Sequence, residues 1–248
     1  MSWFSVVWLV VFITGCAASG NDSQSNDGVS RLAKSDIDEV IELHQQAVMA
    51  QLKRLMLKLY KRNPNLRHDR DIRTIKESVE RTFSREVDFI YPEWAIIKRP
   101  TDIIRLSLDE RFQGDRVLAY IVGLRKMLMA SYDNHSEFFY LTSIDQQKLY
   151  NSARNIEIAA WLLAKKRDRD GNLLMLSDSL SGEIRNLSYQ RLFGKMIATQ
   201  DNLAQIIAQK NGRIIKTFVL RAATLRFLPI YVFCSPPPPH LRQTSRLL

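Results

Sequence analysis

Glycine and proline are placed so unevenly in this chain that they go far towards dictating its fold class. Of its 9 Gly and 8 Pro, Gly15, Gly20 and Gly28 fall in the first segment, and residues 236–239 are four consecutive prolines. The long stretch between them has few breakers. Gly and Pro punctuate turns, so their scarcity favours long helices over a strand-and-turn fold. With 248 residues, 46% of them hydrophobic and 25% charged, the chain has ordinary globular composition and can bury a sizeable core.

Apolar spacing says the same. Ser35 and Asp38 stand in capping-box register. Ile37, Ile41, His44, Val48, Leu52, Leu55 and Leu59 then follow at steps of three and four, which define one helical face. Lys53, Arg54, Lys58, Lys61 and Arg62 gather where cations suit a helix C-terminus, and Asn63-Pro64 stops the helix. A second helix is expected over residues 69–85, with Ile72, Ile75, Val79 and Phe83 inward. Residues 89–100 contain Pro92 and Pro100 and read as an irregular connection. Thr101 is placed to cap a helix to Phe112, and Asp115 another to Tyr132. Ser143 and Gln146 repeat the capping-box pattern ahead of Leu149, Ala153, Ile156, Ala160 and Leu163, a helix ended by Gly171. A long helix over residues 183–209 carries Leu192, Met196, Leu203 and Ile206, and residues 214–228 continue as a basic amphipathic helix. No strand pattern and no fixed-period repeat appears. The expected fold is all-α, an irregular helical bundle of about six or seven helices over residues 35–229.

The first residues have a different character. Residues 3–14 carry no charge and consist largely of Val, Phe, Trp, Leu and Ile. The run is too short to span a bilayer, which takes roughly 20 residues, but it fits the apolar region of a signal peptide. It leads into Ile13-Thr14-Gly15-Cys16, which resembles the lipobox of bacterial lipoproteins. That resemblance implies cleavage after residue 15, acylation of Cys16 and a lipid anchor in the cell envelope. Ala17 after the cysteine implies the outer membrane rather than the inner one, by the sorting rule of Gram-negative lipoproteins. Residues 18–30 are Gly, Ser, Asn, Asp and Gln with little apolar content, a composition suited to a flexible tether. Residues 16–34 are therefore expected to form a lipidated linker. Residues 230–248 are expected to be a disordered Pro-rich tail, and one reading of that tail is a frameshifted ending.

The net charge is +10. For an exported chain the polyanions within reach are lipid headgroups, lipopolysaccharide and cell-wall polymers rather than nucleic acid. With Cys16 assigned to the anchor, Cys234 has no partner for an internal disulfide.

Motifs that would carry chemistry are missing. The run from Lys166 through Asp168, Asp170 and Gly171 approximates a calcium loop. Alignment on Gly171, however, puts a lysine at the first ligand position and Ser177 where a bidentate Glu is needed. His44, His68, His135 and His240 show no zinc spacing. The cluster Asp133-Asn134-His135-Ser136-Glu137 reads as a polar turn, because catalytic partners are assembled in space rather than in succession. Tyr91-Pro92-Glu93-Trp94 reads as a buried connector or an aromatic lip. No catalytic, cofactor-binding or metal residues are expected, and the one assigned site is Cys16. The functional expectation is a non-catalytic, membrane-anchored envelope lipoprotein whose helical domain contacts another envelope protein. The alternative is a module binding an anionic or amphiphilic envelope component. A cleft holding two close, desolvated carboxylates would instead point to an enzyme.

Overall fold

A computed structural model describes residues 36–139, 143–177, 183, 186–212, 214–215 and 227–228. Six α-helices make up most of this region: α1 (Asp36–Arg62), α2 (Ile75–Ser84), α3 (Pro100–Ser107), α4 (Arg116–Ser131), α5 (Gln146–Lys165) and α6 (Ser188–Asn211). Among the described residues there is no sheet; the only pairing of the β type is an isolated bridge between Arg167 and Leu173. The chain is all-α, as its breaker distribution and apolar spacing require.

α1 is the spine. Asp36, Asp38 and Glu39 occupy its first turn and Lys61 and Arg62 its last, charges that complement the helix dipole. Ile41, Val48, Leu52, Leu55, Met56 and Leu59 along one face are essentially inaccessible to solvent. That face packs against α2, α4 and α6, while α5 lies along α6 and α3 along α4. One core cluster draws side chains from every helix, including Ile104, Ile121, Leu124, Ile156 and Leu203. α3 and α4 approach unusually closely because position 123 is glycine. A Cβ there would sit 2.7 Å from Ile104 Cγ1 and 3.0 Å from the Pro100 carbonyl oxygen.

Several helix ends differ from those expected. α2 begins at Ile75, not near residue 69, because Thr74 and Glu77 form a reciprocal capping box. Ile72 therefore lies outside the helix and is 72% exposed. α3 starts at Pro100, a favoured first helical residue, and stops at Ser107 rather than Phe112. α5 is capped by Asp145, whose carboxylate accepts from Gln147 N, rather than by Ser143. It ends at Lys165, and Gly171 (φ 84°) belongs to the tight loop that follows. α6 starts at Ser188, and Ile207 rather than Ile206 is its last fully inward isoleucine. α4, by contrast, is capped by Asp115 and closes at Tyr132, as its sequence implies.

The leader, Cys16, the tether, Ser35 and residues 230–248 lie outside the described residues, as does nearly all of the helix expected over 214–228. The described positions 214–215 and 227–228 of that span are irregular. No helix among the described residues is long and apolar enough to cross a membrane.

Candidate functional site

One cavity opens where the ends of α1 and α2, the start of α4 and the connector before α3 meet. It encloses about 370 Å³, within the range of small-molecule sites. α1 contributes Tyr60. The loop after the Pro64–Leu66 turn brings His68 and Asp69, and α2 presents Ser78, Arg81 and Thr82. Arg85, Phe89, Tyr91, Pro92, Glu93 and Trp94 form the wall on the connector, and Asp115 with Leu118 completes the floor.

The wall is a stack of aromatic rings. Tyr91 stacks on Trp94 at 5.0 Å between centroids, Phe89 meets Tyr91 edge-on at 4.9 Å, and Phe112 backs Trp94 at 6.2 Å. The Arg85 guanidinium lies over Phe89 at 4.1 Å, a cation–π geometry that holds it against the wall. The Pro92–Trp94 turn buries Trp94 and Tyr91 in a small apolar cluster with Ile103, Ala119 and Val122. The Tyr91-to-Trp94 segment is thus both a buried connector and a pocket wall.

The pocket's two inner carboxylates are already committed. Asp115 Oδ1 accepts from Leu118 N at 2.8 Å, which caps α4, and Oδ2 accepts from Tyr60 Oη at 2.9 Å. Burial pushes the Asp115 carboxyl upward, and the bonds from Leu118 N, Tyr60 and the His68 backbone work against that rise. Burial, reinforced by the neighbouring Asp115, raises Tyr60 and keeps the phenol protonated as a donor. Asp69 accepts from Ser78 Oγ at 2.8 and 2.9 Å and lies 3.7 Å from Arg67 and 3.6 Å from Arg73.

The hydroxyls of Tyr60, Ser78 and Thr82 are paired, but one donor group of the wall and one beside the pocket are not. Trp94 is 4% exposed, yet its indole Nε1–H has no acceptor among the described residues. Arg67, 8% exposed and beside Asp69, keeps Nη1 without one as well. Buried polar groups are nearly always paired, but these two are not alone: Tyr120 Oη and Arg154 Nε, away from the pocket, also have no partner among the described residues.

A second meeting of carboxylates lies on the α5–α6 seam. Arg154 Nη2 reaches Glu157 at 3.1 Å and also Asp201. Burial raises both carboxyls, and Arg154 opposes the rise. The arginine between them makes this an ion triad on packed helices, and neither acid lines the pocket.

The other positions considered from sequence do not converge. His44 is half-buried rather than in the core, and its Nδ1 contacts the Val40 carbonyl at 2.7 Å within its own helix. Asp133 pairs with Lys148, while His135 is exposed, its Nδ1 lying 3.3 Å from the Tyr132 carbonyl of its own turn and its carbonyl accepting from Gln45 Nε2. Asp168 serves its own turn by accepting from Asn172 N at 2.8 Å. The basic side of α1 is partly matched by acids, Lys53 with Glu80 at 2.7 Å and Arg62 with Glu183, and Arg169 pairs with Glu110 at 3.3 Å. Cys16 and His240 lie outside the described residues. No group of three or more His, Cys, Asp or Glu among the described residues is arranged to hold a metal ion.

The sequence offers Tyr91 to Trp94 as a buried connector or an aromatic lip, and Asp115 as a helix cap. It does not single out Tyr60, Ser78, Arg81 and Arg85 as members of one site. The available hint was Ser78 and Thr82, two polar residues one turn apart on the inward face of a short helix. Comparison with known proteins finds no matching family, no similar curated protein and no similar solved structure.

Proposed function

We propose that this chain is a non-catalytic binding domain of the bacterial cell envelope, tethered to a membrane by lipid on Cys16, with the Tyr91–Trp94 pocket as its working surface. The observation that carries the reading is the division of labour inside the pocket. Its buried acids and the hydroxyls of Tyr60, Ser78 and Thr82 are spent on one another and on backbone, while its aromatic wall stands beside Arg81 and Arg85, for which no carboxylate partner is found among the described residues. A site built for acid–base chemistry needs a carboxyl free to exchange protons with a substrate; a binding site needs unspent donors beside an apolar wall. The tether and the envelope address rest on the leader and lipobox pattern.

A protein partner at the same site is the second reading. It is favoured by Ile90 and Ile96, 67% and 92% exposed, on either side of the Pro92–Trp94 turn. Site-specific photo-crosslinking in cells tests the common claim. A photoreactive residue in place of Glu93, at the pocket, is expected to give a discrete adduct, and the same residue in place of Gln205 on the exposed side of α6 none. Equal labelling from both positions would remove the pocket as the working surface.

A further inference from the structure

We infer that the outer faces of α1 and α6 together form a basic surface that rests on an anionic phospholipid bilayer, so that the anchored domain lies along its membrane rather than standing off it. The choice of a lipid partner rests on the anchor in the reading above; the pocket plays no part in it.

Charge is spread very unevenly along the chain. Residues 43–68 and 184–200 hold nine of the 36 basic side chains and none of the 26 acidic ones. The remainder of the chain is therefore close to neutral, and nearly all of the +10 excess belongs to these two stretches. The fold puts them side by side. α1 packs against α6. The Tyr189 hydroxyl, at the start of α6, donates to the Lys58 carbonyl near the end of α1 at 3.0 Å, and the Lys58 ammonium lies 5.1 Å from the centre of the Tyr189 ring. Arg54 and Lys61 are exposed on α1, and Arg191 and Lys195 on α6. Glu80 and Glu183 border the surface but are engaged by Lys53 and Arg62, whereas those four exposed cations have no carboxylate partner among the described residues. A face that serves only solubility mixes both signs. A face of one sign built from two packed helices suits a broad anionic sheet, and each Lys or Arg brought to an anionic leaflet gains roughly fivefold in partitioning. Position supports the same occupant. Twenty residues separate Cys16 from Asp36, a contour of at most about 70 Å, whereas the 27 residues of α1 span about 40 Å. That length allows α1 to lie flat beside the anchor point with its basic half against the headgroups.

The test is vesicle co-sedimentation of the full chain carrying Cys16→Ser, which cannot be acylated, read as the lipid concentration that binds half of the protein. Phosphatidylcholine vesicles measure any pull from the apolar first segment, and vesicles of equal parts phosphatidylcholine and phosphatidylglycerol add the negative charge. The anionic vesicles are expected to bind about tenfold more tightly at low salt. That gain should vanish near 1 M salt, where charges are screened within about 3 Å. Arg54→Glu with Arg191→Glu should abolish it. Lys98→Glu with Arg111→Glu, an equal change of net charge at exposed positions on either side of α3, should keep most of it. Circular dichroism and melting check that the variants remain folded, and Arg54→Gln with Arg191→Gln, which removes charge without reversing it, serves if the reversal does not fold. Equal binding of both vesicle types overturns the inference. So does an equal loss, or no loss, from the two charge-reversed pairs, because the effect would then not belong to this surface. Polyphosphate bound more tightly than the anionic vesicles, and weakened by the α1–α6 pair, assigns the surface to a soluble polyanion and also overturns it. None of these outcomes bears on the anchor, which fails separately if mass spectrometry finds Cys16 of the natural product without fatty acid.

Discussion

Asp115 performs two tasks that a solvent-exposed residue would perform separately. It caps α4 through Leu118 N and it satisfies the buried Tyr60 hydroxyl. Each oxygen thus has a structural partner, and for this reason we read the pocket as binding rather than acid–base. Asp201 shows the opposite economy. Its Oδ2 meets Arg154, while its buried Oδ1 has no partner among the described residues, and desolvation raises the carboxyl despite the arginine. The sign of the pH effect follows. Above the unfolded-state value of about 3.9 the folded protein holds this proton while the unfolded chain has released it. More protons are then bound in the native state, so this group's contribution to stability falls as pH rises through its folded pKa. Asp201→Asn cannot ionise and lacks that slope. The stability of the Asn variant minus that of the wild type, measured by urea unfolding, is expected to grow from pH 4 to pH 7. A difference that stays constant with pH would remove the carboxyl's assigned strain.

At the scale of elements, two asparagines do what no helix cap does. Asn63, at the end of α1, donates to the Leu176 carbonyl at 2.9 Å and accepts from Leu176 N at 2.7 Å. Asn155, wholly buried in α5, donates to the Leu228 carbonyl at 2.8 Å and accepts from Leu228 N at 2.5 Å. In each case one amide side chain stands in for a neighbouring strand and satisfies both polar groups of a passing backbone, which would otherwise be costly to bury. Asn155→Ala should therefore free Leu228. The loss of two bonds is expected to cost about 1–3 kcal/mol and to speed hydrogen exchange at the Leu228 amide while leaving α4 amides unchanged. Unaltered protection at Leu228 would show that packing alone holds the segment. The Gln200 side chain makes a comparable bridge, accepting from Tyr132 Oη and donating to Ser131 and Ser152. It ties α6 to the C-terminal end of α4 and to α5 inside the core.

Over the whole molecule, one continuous core joins all six helices, so the described domain has a rigid frame from which to present its pocket. Pairs that cross between helices, such as Lys53 with Glu80, take up equal numbers of both signs and leave the excess of 36 Lys and Arg over 26 Asp and Glu unchanged. If the anchor reading holds, the address of the molecule depends on one sulfur. Each buried lipid methylene contributes about 0.8 kcal/mol, and several chains make release negligible. Cys16→Ser is accordingly expected to move the protein from the membrane fraction to the soluble periplasmic one, or to leave it uncleaved. Mass spectrometry of the natural product should find fatty acid and no starting methionine; an intact, unacylated start would sink the anchor.

Much of the architecture was legible beforehand because helix formation is local. The three-and-four spacing from Ile41 to Leu59, the stop at Asn63-Pro64 and the Asp115 cap each act within a few residues, and the structure keeps all three. Some boundaries differ at short range, the second helix starting after the Thr74 cap rather than near residue 69 and α5 after Asp145 rather than Ser143, since near-equal local options are separated by what each end packs against. The pocket was not legible at all as a unit. Tyr60, Asp69, Ser78, Trp94 and Asp115 come from five separate stretches of chain, and no spacing rule relates them. By itself the amino-acid order determined an all-helical chain with an apolar first segment and a basic excess, because periodicity and composition are one-dimensional properties. Which donors lost their partners, and which acids were already spent, was decided by tertiary packing, because burial and hydrogen bonding depend on neighbours brought together only when the helices close on α1.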